Sequence, residues 1–130
     1  CYPRGTVTIK DRSMGDPNGF SFSLREYVEY NSLDNDLYFI ARDIGNMLGS
    51  PDRNEGVLKH TEFAELKTES ELNNRQDYRN LSYDDRTFVA EGNVYMVKLN
   101  DGSKAKIRIR QVDSSAYKKQ VTFDYIYFGQ

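Results

Sequence analysis

Hydrophobic and polar residues alternate with period two in three stretches of the chain, the spacing of half-buried β-strands. In FSFSLREY, Phe20, Phe22 and Leu24 fall on one face and Ser21 and Ser23 on the other. Over residues 104–112, Ala105, Ile107 and Ile109 oppose Lys104, Lys106, Arg108 and Arg110. In the closing VTFDYIYFGQ, Val121, Phe123, Tyr125 and Tyr127 share one face, while Thr122, Asp124, Ile126 and Phe128 share the other. RGTVTIKDR adds a first short strand, and the turn residues of SMGDPNG join it to FSFSLREY as an early hairpin. LYFIA, residues 37–41, is unbroken in its apolar character, which fits a central strand or a buried piece of helix.

Other segments depart from that period. Residues 42–56 carry three glycines and a proline and read as a long ordered loop. TEFAELKTESEL, residues 61–72, is the one helix candidate: Thr61 caps, acidic residues sit near the start, and Phe63, Leu66 and Leu72 form a thin apolar stripe. NNRQDYRNLSYDDR then reads as a surface loop with Tyr78, Leu81 and Tyr83 as anchors. Residues 94–99 and 104–112 flank LNDGS, where Asp101-Gly102 supplies a hairpin turn, and residues 121–128 return as a third strand. Val112 falls on the cationic parity, and a β-bulge beside it restores the pattern. Both faces of the last strand become apolar, which places it between neighbours or beneath a cover. The expected fold is mainly β, an antiparallel β-sandwich or strongly curved sheet with one short helix.

Composition narrows this picture. A length of 130 residues fits a single domain over residues 1–130. Ten tyrosines and seven phenylalanines without tryptophan agree with a sheet-rich protein, and the aromatic last strand is read chiefly as core. The formal charge of -2 lacks the basic excess of a nucleic-acid binder. On the middle strand the cations also point away from the apolar face, whereas single-strand binders place aromatics and cations together. No apolar run reaches the ~18 residues of a membrane span. Cys1 is the only cysteine, so neither an internal disulfide nor a thiolate cluster can form within one chain.

Candidate chemistry is sparse. His60 is the sole histidine, and no G-x-S-x-G elbow, Walker loop or G-x-G-x-x-G turn occurs. The pairs Asp34/Asp36 and Asp84/Asp85 and the PDRNEG turn are weak cation or carboxylate-dyad candidates, and equally ordinary turn residues. The row Lys104, Lys106, Arg108, Arg110 reads as a solvated face, or as a platform for anionic lipid or an acidic protein surface.

GNVYMVKLNDGSKAKIRIRQV followed by VTFDYIYFGQ resembles the closing hairpin and last strand of small bacterial envelope lipoproteins of Bacteroidetes type, including the HmuY-type haem-binding family. FSFSLRE, LYFI and NEGVLKH extend the resemblance loosely along the chain. It implies an exported β protein in the periplasm or on the cell surface, anchored by a lipidated Cys1. It also implies axial haem ligands of histidine or methionine type, for which this chain offers Met47, His60 and Met14, with Met96 expected in a strand. The expected function is a non-enzymatic envelope or cell-surface domain with a binding or structural role, needing no cofactor. The alternative is a carrier of haem or another hydrophobic molecule walled by Tyr78, Tyr83 or Tyr125. A hydrolase using carboxylates near His60 is the distant third.

Overall fold

The computed structural model describes residues 2–66 and 81–129. Among the described residues ten strands form three antiparallel sheets: β1 (Arg4–Lys10), β2 (Gly19–Ser21), β3 (Glu26–Val28), β4 (Tyr38–Arg42), β5 (Gly45–Gly49), β6 (Glu62–Glu65), β7 (Arg86–Phe88), β8 (Val94–Lys98), β9 (Lys104–Ser114) and β10 (Lys119–Gly129). The large sheet has the order β1-β10-β9-β8-β6, a smaller one runs β4-β5-β7, and β2-β3 is a separate hairpin. The open sheets pack as a β-sandwich-like fold, in agreement with the alternation of the sequence.

The closing meander is as the sequence predicts. β8 pairs β9 with Tyr95 opposite Ile107 and Val97 opposite Ala105, and β9 pairs β10 with Ile107 opposite Tyr125. Opposite β10 the register skips Arg110, passing from Ile109 to Gln111. That extra residue is the expected bulge, and it turns Val112 back against the core. β10 lies between β9 and β1, so neither of its edges is bare. Its ladder of Phe123 and Tyr125 packs with Phe20 and Phe22 from across the sandwich, and the Tyr125 ring centroid is 5.4 Å and 5.3 Å from theirs. The closing aromatic run therefore holds the two layers together.

Four expectations are corrected. β1 pairs with β10, and the first hairpin is made within FSFSLREY, where β2 and β3 flank a turn. LYFIA forms β4 at the edge of the smaller sheet, not a central strand. Within the loop expected at 42–56 lies β5, followed by a 3₁₀ turn at Pro51–Arg53. Two of the three glycines there are strand glycines beneath rings: a Cβ on Gly45 would sit 2.8 Å from Phe88, and one on Gly49 2.7 Å from Tyr38. Lastly, the described part of the expected helix is β6, which sets Phe63 against Val97 of β8; residues 67–72 of that helix, and Tyr78 in the segment after it, lie outside the described residues. Phe63 joins the sandwich core while Leu66 joins a second cluster with Val94 and Met96.

Buried polar side chains join segments where no ladder does. The Asn35 Oδ1 accepts from the Phe20 amide at 2.9 Å while its Nδ2 donates to the Tyr30 carbonyl at 2.8 Å. Asp36 accepts from the Phe22 amide at 2.8 Å and pairs with Lys59 at 2.9 Å. Tyr95 crosses the sandwich, its hydroxyl donating to the Phe88 carbonyl at 2.9 Å.

Candidate functional site: an arginine-lined cleft

A strand at the edge of a sheet shows one face to the core and the other outward. Leu37, just before β4, and Phe39 and Ala41 on it point inward, and the alternate residues Tyr38, Ile40 and Arg42 look out with Met47, the β5 partner of Ile40. Two further segments close over this face. Asp11, Arg12 and Asn18 come from the turn after β1, and Arg53 and Asn54 from the 3₁₀ turn after β5. With Tyr30 they enclose a cleft of about 240 Å³. That is a little below the ~300–1,000 Å³ of typical small-molecule sites, which suits a compact ligand.

Asp11 ties the cleft together. Its side chain is almost fully buried, and its Oδ2 accepts from the Ala41 amide at 3.0 Å and from Arg42 Nη1 at 3.2 Å. Its Oδ1 accepts from the Ser13 amide at 3.0 Å. Burial opposes ionisation, yet these backbone donors and the Arg42 charge together hold the carboxyl below its ordinary value. Arg53 Nη1 donates to the Tyr38 hydroxyl at 2.7 Å, while its Nε lies 3.9 Å from Asp85. Burial raises the Tyr38 phenol, so it stays neutral. Arg12 lies over the Tyr30 ring, 4.8 Å from the centroid. Among the described lining residues, three guanidiniums face one carboxylate, an excess of two positive charges in a chain whose formal charge is -2. Such a cleft attracts anions.

The residues singled out from sequence fall differently. Met47 lines the cleft, whereas Met14, in the 3₁₀ turn Arg12–Met14, and His60 are not among its described lining. Met96 is buried on the far face of the large sheet. His60 Nδ1 lies 2.8 Å from Asp52 Oδ2, and Asp52 Oδ1 accepts from the Ser50 hydroxyl at 2.5 Å. Burial works against ionisation of Asp52, but Ser50 and His60 outweigh it and hold that carboxyl low. The carboxylate stands between serine and histidine, whereas a nucleophilic triad needs the serine on the histidine. Ser50 is fully buried and also accepts from the Thr61 amide at 2.8 Å, so the set joins the 3₁₀ turn to the residue before β6.

The cationic row needs correction. Lys106 is fully buried, not solvated, because the second cluster covers its face of the sheet. Asp124, opposite Arg108 on β10, lies 3.3 Å from Arg108 and 3.5 Å from Arg110. The row is thus partly neutralised, with Lys104 half-buried and Arg110 exposed. Of the expected ligand walls, Tyr125 belongs to the core and Tyr83 packs on the second cluster. Among the described residues no group of three or more histidine, cysteine or acidic side chains is placed to hold a metal. No helix there is long and apolar enough to cross a membrane. Cys1 lies outside the described residues.

Sequence reasoning missed Arg12, Arg42 and Arg53. The local signal was the alternation Tyr38, Ile40, Arg42, hidden inside an apolar run. No protein-family model and no curated protein matches the chain. Fold and cleft define it as a β-sandwich-like protein with an electropositive cleft at a sheet edge.

Proposed function

We propose that the chain is a non-enzymatic binding domain of the bacterial envelope or cell surface, and that the cleft between β4 and the turns after β1 and β5 is its binding site. The carrying observation is the convergence of Arg12, Arg42 and Arg53 with Tyr30 and Tyr38 on one concave site. The non-enzymatic reading is supported by the state of the polar groups there. Asp11 is ionised and already hydrogen-bonded, which leaves it poorly suited to proton transfer, and the remaining functional groups are guanidiniums, amides and phenols. The envelope location rests on the resemblance of the closing β8–β10 segment to envelope lipoproteins.

A set of neutral and charged single-ring compounds, titrated into ¹⁵N-labelled protein, tests the reading. Amide shifts confined to residues 38–42, 47 and the two turns, with the compounds recovered unaltered, are expected. Chemical conversion of a compound, or shifts clustered elsewhere, would reject it. Location is tested separately, by protease access to the protein in intact cells of its host.

A further inference from the structure

The cleft differs from an ordinary polar pocket in which hydrogen-bonding roles remain unspent. A guanidinium carries five N–H donors and no acceptor. Among the described residues Arg42 uses only Nη1, on Asp11 and the Ala41 carbonyl. Arg53 makes one hydrogen bond, to the Tyr38 hydroxyl. The Arg12 guanidinium makes none there, and rests on the Tyr30 ring. The Tyr38 oxygen accepts from Arg53, so its own proton is left to donate. Side-chain acceptors are fewer, with the Asn54 Oδ1 and the tyrosine hydroxyls the ones left over among the described lining residues. Asp11 takes three donors, and the Asn18 Oδ1 takes the Tyr30 amide at 2.8 Å. A neutral polyol, whose hydroxyl protons also need acceptors, finds fewer partners for them than for its oxygens in such a site. An oxyanion, which only accepts, finds many.

The remaining lining sets the body of the ligand. Ile40 and Met47, neighbours across the β4–β5 pair, give the cleft an apolar wall. The volume of about 240 Å³ suits a one-ring body. Resting on the binding-site reading above, we propose that the cleft takes a small acid with a single oxyanion head, carboxylate or phosphate, on a one-ring apolar body. Arg12 and Arg42 grip the head, and Ile40 and Met47 carry the ring.

Calorimetric titrations with benzoate, phenyl phosphate and benzyl alcohol decide it. One-to-one binding of benzoate or phenyl phosphate is expected, at least tenfold tighter than benzyl alcohol and weakened by added salt. Whichever of the two binds more tightly names the head. Arg12→Gln, on an exposed guanidinium with no hydrogen bond among the described residues, and Arg42→Gln should each weaken the better acid about tenfold, while the amide spectrum shows the fold retained. Three results overturn the inference: benzyl alcohol binding as tightly as the acids, affinity unchanged in both variants, or no binding of either acid. Neutral compounds held in the cleft while the acids are rejected would remove this inference and leave the binding-site reading standing.

Discussion

The ring of Tyr38 occupies the space in which a side chain on Gly49, its partner across the β4–β5 pair, would begin: a Cβ there would lie 2.7 Å from two ring carbons. The same ring carries the hydroxyl that holds Arg53 at 2.7 Å. The glycine therefore fixes a cleft residue at second hand.

Gly49→Ala should cost about 1–3 kcal/mol, the usual range for overpacking, because the ring must move. Denaturant unfolding measures the loss. Amide shifts around Arg53 should report the displaced phenol in the same sample, and an unchanged midpoint would mean that the ring moves freely.

Asp11 should make stability depend on pH with a definite sign. Its folded-state carboxyl lies below the ordinary 3.8, so the unfolded chain binds the proton more readily. Its contribution is fully present above 3.8 and is lost as pH falls through the depressed folded value. Asp11→Asn should therefore be less stable than wild type near neutrality, with the gap closing on acidification. Melting curves across the acid range check this.

Asp36 should act in the opposite sense. Burial pushes its carboxyl above 3.8 despite the Lys59 partner, so the folded state holds the proton more tightly. The stability of wild type relative to Asp36→Asn should fall as pH rises from 3.8 through the folded value. A difference that rises across that window would refute the assignment.

Asp124 should keep the cationic row quiet. Wild type is expected to ignore vesicles containing anionic lipid, because Arg108 and Arg110 share this carboxylate and Lys106 is buried. Asp124→Asn should introduce weak, salt-sensitive association, visible by co-sedimentation at low ionic strength. Equal sedimentation of the two proteins would show that Asp124 does not set the charge of that face.

Haem should give no saturable one-to-one Soret spectrum with the purified protein. Met47 is the only one of the suggested axial side chains in the described lining of the cleft, so a haem iron needing two such ligands lacks the second there. A sharp Soret band lost in Met47→Ala would reverse this expectation.

The closing meander was legible because each of its strands has one face in the core and Asp101-Gly102 marks its turn. β6 was not. Phe63 and Leu66 are three apart, which suits one side of a helix, but in an extended chain that spacing puts them on opposite faces. Both are buried because this sheet is covered on both sides there. β5 was hidden by Gly45 and Gly49, which read as breaks until the rings of Phe88 and Tyr38 are seen above them. The arginine cleft depends on three separate segments meeting, and apart from the alternation in β4 nothing local in the sequence announces it.

The pairing of β1 with β10 also sets an order of events. Thr6 and Asp124, hydrogen-bonded across that pair, are 118 positions apart. During synthesis β1 must stay without this ladder until β10 has left the ribosome, so the large sheet cannot close before β10 is made. Truncation within β10 would thus strip β1 of its ladder as well, and the domain should mature late and all together.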